Sequence, residues 1–178
     1  IQQKKLWRSY AAEFFILAWI LIPSLLGPYY FLSMLICTGV VISKEFLSLK
    51  PDYHRADLFC LAVSGILLLL GSAMGLSTLA LFVVAASILL IYALWQQPSQ
   101  QFMTSSATNL FALLYLWGPL ACLWHLYMSP HGWLWVIGLF FMTELNDSFA
   151  LVWGVVLGRR KLAPTISPNK TVGGTVGG

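Results

Sequence analysis

The chain has 178 residues, of which 59% are hydrophobic and 9% are charged, and its formal net charge is +4. A water-soluble domain carries about 25% charged residues, so this composition excludes a soluble globular protein and indicates one whose apolar side chains face lipid. The basic residues form small clusters beside apolar segments, which gives no sign of nucleic-acid binding and favours contact with anionic membrane lipid.

Six apolar segments are predicted to be transmembrane helices, since a helix needs about 20 mostly apolar residues to cross a bilayer. In chain order the predicted spans are 11–26, 29–49, 57–73, 76–95, 108–127 and 132–158. Gly27-Pro28 predicts a tight turn after the first span, Gly71 and Gly75 predict another after the third, and Gly118-Pro119 predicts a kink in the fifth. We therefore expect an all-α integral membrane protein, with residues 1–178 as one polytopic domain and the first part of a larger bundle.

The basic residues support the count of six spans. Apart from Lys44, near the end of the second span, they lie before the first span, between the second and third, and after the sixth. The positive-inside rule then places the N-terminus and the loop 159–178 in the cytoplasm. The Gln- and Ser-rich connection 96–107 falls on the same side, and we expect it to be a mobile loop. Short loops favour a bacterial inner membrane, with a eukaryotic organelle as the alternative.

Two carboxylates, Glu144 and Asp147, lie inside the sixth span. Charge within a membrane is costly, so such acids are candidates for a functional site. Asp147 shares a helical face with Gly154 and Gly158, and small residues at this spacing let another helix approach closely. The pattern predicts a carboxylate that binds a metal or a substrate amine or hydroxyl. The alternative is a structural acid paired with a basic residue such as Lys44.

The loop 159–178 combines positive charge, hydroxyl groups and glycines. Ser167 and Thr171 can donate hydrogen bonds, Lys170 supplies an ammonium group, and the glycines permit close backbone approach to a ligand. Phosphate groups favour this combination of donors and charge, so the loop is a candidate phosphate site. It is not a P-loop, because the order GxxxxGK[ST] is absent. The alternative is an ordinary positive-inside loop that joins two helices.

From Asn146 onward the sequence resembles the phosphatidate cytidylyltransferase (CDP-diacylglycerol synthase) family. The family carries an acid, an alanine, a Gly-x-x-x-Gly pair, a basic cluster, a Ser-Pro-x-Lys-Thr run and a Gly-Gly pair. The matching positions here are Asp147, Ala150, Gly154, Gly158, Arg159–Lys161, Pro164, Ser167, Pro168, Lys170, Thr171 and Gly177-Gly178. Two positions depart from the pattern, because Gly173 stands where the family commonly has an acid and Leu151 where it has an aromatic residue.

The resemblance implies an enzyme of phospholipid biosynthesis that converts CTP and phosphatidic acid to CDP-diacylglycerol and pyrophosphate. It implies that Asp147 and Lys170 are catalytic and that Asp147 helps to hold Mg²⁺. The substrate-binding residues it implies are Glu144, Asn146, Arg159, Arg160, Lys161, Ser167 and Thr171. A homodimer formed through helix packing is a further expectation taken from the family.

The family's second signature, a Lys-Asp pair and a His-Gly-Gly-x-x-Asp-Arg run that supplies acids to the cation, does not occur in these 178 residues. We therefore expect the chain to contain an incomplete active site. Three alternatives stay open: a relative that uses another nucleotide or acceptor, a degenerate member kept as an interaction partner, and a transport protein with Glu144 and Asp147 as a proton or cation site. Inverted repeats would support the last, and the sequence shows none.

Overall fold

The structure, a computed structural model, describes residues 15–50, 54–96, 99–157, 161–163 and 167–178. Its contacts divide the chain into two compact units, Ile1–Trp133 and Leu134–Gly178, which are described separately. Nearly all of the described residues are helical, as predicted for an all-α membrane protein.

The first unit is built from helices that follow the predicted spans closely. They are α1 (Phe15–Leu26), α2 (Pro28–Ser48), α3 (Arg55–Ala73), α4 (Thr78–Gln96), α5 (Ser99–Ala112), a π-helical segment (Leu113–Trp117) and α6 (Gly118–Met128). The next helix, α7 (Gly132–Leu157), begins at the end of this unit and lies mostly in the second. Five helical stretches among the described residues are long and apolar enough to cross a membrane, and α1 is a shorter apolar helix. The predicted fold class is confirmed.

Both tight turns predicted at glycine are present. Gly27, between α1 and α2, has φ 125°, and Gly75, between α3 and α4, has φ 79°. Glycine adopts such positive φ angles without the steric cost that a Cβ atom brings. At the end of α3 the Leu76 N–H donates to the Gly71 carbonyl at 3.0 Å, which satisfies a backbone acceptor left free by the helix end. These turns make the α1–α2 and α3–α4 pairs compact helical hairpins.

The fifth span begins earlier than predicted. A mobile loop was expected across 96–107, but α5 already begins at Ser99, so this prediction is wrong for the helical part. The polar residues Ser105, Ser106 and Asn109 are buried on one face of α5. The low hydropathy of Ser105 and Ser106 hides this part of α5 from a search for apolar windows, although both serines are buried.

A π-helical segment, Leu113–Trp117, directly precedes Gly118-Pro119, where a kink was predicted. Proline has no backbone N–H, and its ring clashes with the carbonyl four residues earlier in an α-helix. A π turn widens the helix at this point and removes the conflict with regular α-helical hydrogen bonding.

Trp117, at the end of the π-helical segment, fills the centre of the first unit. It is fully buried, and its indole Nε1 donates a hydrogen bond of 3.0 Å to Ser43 Oγ on α2. The ring lies against Gly39 and Gly65, and a Cβ atom on Gly39 would come within 2.7 Å of it. A Cβ on Gly65 would overlap the ring still more. Two glycines therefore make the space that this indole occupies between α2 and α3.

The second unit contains most of α7, a β-hairpin and a short helix. The strands are β1 (Lys161–Ala163) and β2 (Ser167–Thr171), which pair antiparallel with Lys161 opposite Thr171, and they are followed by α8 (Val172–Gly177). The prediction that 159–178 is simply a loop is therefore wrong over the described residues. Pro168 is tolerated within β2, because a two-stranded hairpin has an outer edge that needs no N–H donor.

Candidate active site

The short helix α8 packs directly against α7 in the opposite chain direction. A Cβ atom on Gly174 would lie 2.5 Å from the Ala150 carbonyl oxygen and 3.1 Å from Gly154 Cα. Further along, a Cβ on Gly178 would lie 2.8 Å from the Asn146 carbonyl oxygen. The small-residue face predicted on the sixth span is therefore covered by the glycine-rich end of the same chain. Close helix approach requires small residues on both sides.

Thr171 connects the hairpin to this packed helix. Its Oγ1 caps α8 by accepting a hydrogen bond of 3.2 Å from the Gly174 N–H, and the Thr175 hydroxyl donates to the Thr171 carbonyl at 3.1 Å. A Cβ on Gly154 would lie 3.2 Å from the same Oγ1, so Thr171 sits tightly on α7 and is 8% exposed. The Thr171 hydroxyl accepts from the Gly174 N–H and can still donate its own hydrogen to a ligand.

Two lysines of the predicted site lie on the hairpin. Lys161 pairs with Thr171 across the two strands, and Lys170 precedes Thr171 on β2; both lysines are exposed. Successive side chains of a strand point to opposite faces, so the Lys170 side chain projects from the face of the hairpin opposite to that of Thr171. The hairpin thus presents positive charge to its surroundings while Thr171 holds it against α7.

The predicted acids lie on α7 near the Gly178 contact. Asp147 and Asn146 are exposed, and Glu144 is half-buried. Within the described part of the second unit, neither the Glu144 nor the Asp147 side chain has a hydrogen-bond or ion-pair partner. Among the described residues of this unit, both carboxylates are therefore available to a ligand.

A magnesium site can be judged from the donor chemistry. No group of three or more His, Cys, Asp and Glu side chains converges among the residues that the structure describes. Mg²⁺ keeps several waters and is often held by one or two carboxylates together with substrate phosphates. Asp147, an exposed carboxylate that has no partner among the described residues, can serve as one such ligand.

Some predicted site residues lie beyond what the structure describes. Arg159 and Arg160 fall outside the described residues, and Ser167 belongs to β2 but its side chain is not among those described. The described positions are thus divided between α7, which carries Glu144 and Asp147 with Asn146, and the hairpin with its lysines and Thr171.

A polar cluster in the first unit was not predicted from the sequence. Asp57 on α3 is buried, forms an ion pair with Lys50 at 3.6 Å and accepts a hydrogen bond of 2.9 Å from the Tyr92 hydroxyl. Lys50 also donates to Ser105 Oγ at 3.3 Å. In the sequence, Asp57 is only the first residue of a predicted span. The polar residue Ser64 lies seven residues later, on the same face of α3, and this spacing could have indicated that Asp57 faces other polar groups in the bundle.

Comparison with known proteins identifies the family of the chain. A model of the cytidylyltransferase family matches residues 7–178, and the chain belongs to this family. It is 38% identical over 81 residues to the phosphatidate cytidylyltransferase of Chlamydia muridarum and 37% identical over 81 residues to that of Chlamydia trachomatis. Each match covers 42% of this chain and 27% of the relative.

A shorter match, 47% identical over 47 residues, joins the chain to the uncharacterized protein YnbB of Escherichia coli and covers 26% of this chain and 16% of that protein. The matched part thus spans about a quarter or less of the length of these relatives. No solved structure gives a significant match to the chain. The resemblance found from the sequence is confirmed at the level of the family.

Proposed function

We propose that the protein transfers the cytidylyl group of CTP to phosphatidic acid, which gives CDP-diacylglycerol and pyrophosphate. The observation that carries the proposal is the packing of α8 on α7, because it fixes a lysine-bearing hairpin to the helix that carries Asp147. Membership of the cytidylyltransferase family and the names of the chlamydial relatives point to the same chemistry.

In the proposed reaction an oxygen of the lipid phosphate attacks the α-phosphorus of CTP. The bond from that phosphorus to the bridging oxygen of the β-phosphate breaks, and pyrophosphate leaves with the electron pair. Such transfers depend on positioning and charge neutralisation more than on covalent participation of the protein. Lys161 and Lys170, with Arg159 and Arg160, would neutralise the phosphates.

The remaining residues would orient the substrates. Ser167 and Thr171 would donate hydrogen bonds to phosphate oxygens, and Asn146 and Glu144 would contact polar groups of the ligand. Asp147 would supply a ligand to Mg²⁺, which when bound withdraws charge from the phosphate oxygens.

The membrane setting suits a lipid acceptor. The proposed orientation places the hairpin at the cytoplasmic surface of a bacterial inner membrane, where the positive-inside rule directs its lysines. Phosphatidic acid would reach the hairpin laterally from the bilayer, and CTP would arrive from the cytosol. We include a homodimer in the proposal, formed through the exposed apolar surface of α7.

The direct test is CTP- and Mg²⁺-dependent conversion of radiolabelled phosphatidic acid by the full-length protein in detergent. We expect CDP-diacylglycerol from the wild type and loss of turnover by about 100-fold or more in Asp147→Asn, since a catalytic carboxylate cannot be replaced by a neutral amide. Ser148→Ala, on the neighbouring exposed position, is the matched control and should keep its activity. Normal activity in Asp147→Asn would remove this residue from the site, and product formed from another nucleotide but not from CTP would contradict the proposed substrate.

Lys170 can be tested in the same assay. Lys170→Ala should raise the KM for CTP or lower kcat by roughly 10- to 100-fold, because one charge-assisted contact to a phosphate is lost. Arg55→Ala, which removes an exposed positive charge from the first unit, serves as the control for a general change in charge. Wild-type kinetics in Lys170→Ala would show that this lysine does not contact substrate.

A further inference from the structure

We infer that the first unit contains an internal hydrated site, in which water molecules complete the hydrogen bonding of Asp57, Ser106 and Asn109 next to the Lys50–Asp57 ion pair. The inference does not depend on the proposed transferase activity, because all of its residues lie in the first unit.

The ion pair forms the solvent-facing side of the site. Lys50 Nζ lies 3.6 Å from Asp57 Oδ2 and 3.3 Å from Ser105 Oγ, while Asp57 Oδ1 accepts the hydrogen bond from Tyr92. The Asp57 side chain is 1% exposed, whereas that of Lys50 is 18% exposed. Lys50 therefore separates the buried carboxylate from solvent without sealing it off completely.

Polar groups without partners among the described residues follow Ser105, the residue that Lys50 contacts, along α5. Asn109 is fully buried, and neither its Oδ1 nor its Nδ2 has a hydrogen-bond partner in the part of the chain that the structure describes. The buried hydroxyl of Ser106 is also unpartnered there, and Asp57 Oδ2 has the ion pair but no hydrogen bond. Asn109 lies one helical turn from both Ser105 and Ser106, so these groups share one face of α5.

Energetics favour water as the missing partner. Burying an amide or hydroxyl without a hydrogen bond is costly, and still more so in a protein whose surroundings are lipid. Buried water commonly makes about three hydrogen bonds to such groups. The unpartnered set offers both donors and acceptors, because the Asn109 amide supplies each kind, Ser106 has a hydroxyl and Asp57 supplies an acceptor.

The charge at the site argues for a neutral ligand. Lys50 already neutralises Asp57, so neither a metal cation nor a phosphate would gain a net opposite charge there. Water is a small neutral ligand that can both donate and accept hydrogen bonds, and the partly exposed Lys50 marks the side from which it would enter.

Stability provides the first test, because the sign of the effect differs between a dry and a hydrated site. If the groups are hydrated, Ser106→Ala and Asn109→Leu should lower the Tm of the full-length protein in detergent by about 3 °C or more. If the site is dry, both variants remove an unsatisfied polar group and should raise the Tm. The control is Ser72→Ala, since the Ser72 hydroxyl is also buried but donates to the Leu68 carbonyl at 2.7 Å; its Tm should change less.

Radiolytic hydroxyl labelling provides the second test, because bound water generates radicals next to buried side chains whereas a lipid or detergent hydroxyl does not. Leu113, one turn from Asn109, and Leu69, on α3, are both fully buried. We expect several-fold stronger labelling of Leu113 than of Leu69, and a fall to the Leu69 level in Asn109→Leu. Equal labelling in the wild type, or a rise in Tm for Ser106→Ala, would overturn the inference, and neither result depends on whether Asn109→Leu folds.

Discussion

Asp57 is a buried carboxylate that Lys50 pairs with and the Tyr92 hydroxyl donates to, so its charge is compensated inside the bundle. In the sequence the same residue marks only the polar edge of an apolar span. Hydropathy shows that Asp57 is a polar residue at the start of α3, but it does not identify the two partners of this residue. Lys50 precedes α3 in the chain, and Tyr92 lies on α4. Glu144 and Asp147 can be found from the sequence because they interrupt an apolar run. Their roles cannot be assigned in the same way, because their ligands would be substrates, and a residue pattern does not identify a substrate.

Removal of one partner tests the ion pair. Lys50→Met should destabilise the protein by about 3 kcal/mol and lower its Tm by about 6–12 °C, because it leaves the Asp57 carboxylate buried without its counter-charge. Thermal unfolding in detergent, followed by Trp fluorescence, measures the change. Arg55→Met, which removes an exposed charge nearby, should have little effect. Equal Tm values for the two variants would show that the pair contributes nothing to stability.

At the scale of the elements, helix packing depends on where glycine allows a close approach. Trp117 is placed between α2 and α3 because Gly39 and Gly65 have no side chains there. In the second unit, Gly174 plays the same part between α8 and α7. The sequence predicted that glycines in the C-terminal segment would bring backbone close to a ligand. In the described residues, Gly174 and Gly178 bring the backbone close to α7.

Gly65→Ala tests the Trp117 packing. The added Cβ would overlap the indole, so we expect a loss of roughly 1–3 kcal/mol in the free energy of unfolding. Gly138→Ala is the matched control, because nothing lies within 4 Å of the position its Cβ would take. There the better helix propensity of alanine should add roughly 0.5–1 kcal/mol of stability. Similar effects of the two changes on chemical unfolding would contradict the role given to Gly65.

The helices of the membrane region could be predicted well, and the reason is physical. A bilayer requires long apolar segments, so hydropathy alone locates α2, α3, α4 and α7 to within a few residues. The start of α5 could not be found in this way, because its buried face is polar at Ser105 and Ser106. The hairpin was missed for another reason: two strands of three and five residues carry too little alternation to be recognised.

On the scale of the whole molecule, the distribution of charge predicts the orientation in the membrane. The positive-inside rule assigns the end of α7 that leads to the hairpin to the cytoplasm and the α6–α7 turn to the opposite side. The 26 residues of α7 are about 39 Å long as an α-helix, which is enough to cross the hydrocarbon core.

Labelling of single cysteines tests this orientation. In a variant without the natural Cys37, Cys60 and Cys122, Pro130→Cys should react with a membrane-impermeant maleimide added to intact bacterial cells. Lys161→Cys should react only after the inner membrane is permeabilised. Both positions are exposed, so access is decided by the membrane. The reverse pattern would invert the proposed orientation, and labelling of both from outside would contradict the predicted number of crossings.

The π-helical segment Leu113–Trp117 also has an evolutionary consequence. A π turn corresponds to one extra residue in an α-helix, so it can arise from insertion of a single codon. Each helical residue turns the chain by about 100°, and loss of that codon would rotate Trp117 and α6 by this angle relative to α5. The indole would then point away from Ser43 and its two glycines. The register of the fifth span is therefore tied to one residue, and a relative without it would have to fill the centre of the bundle differently.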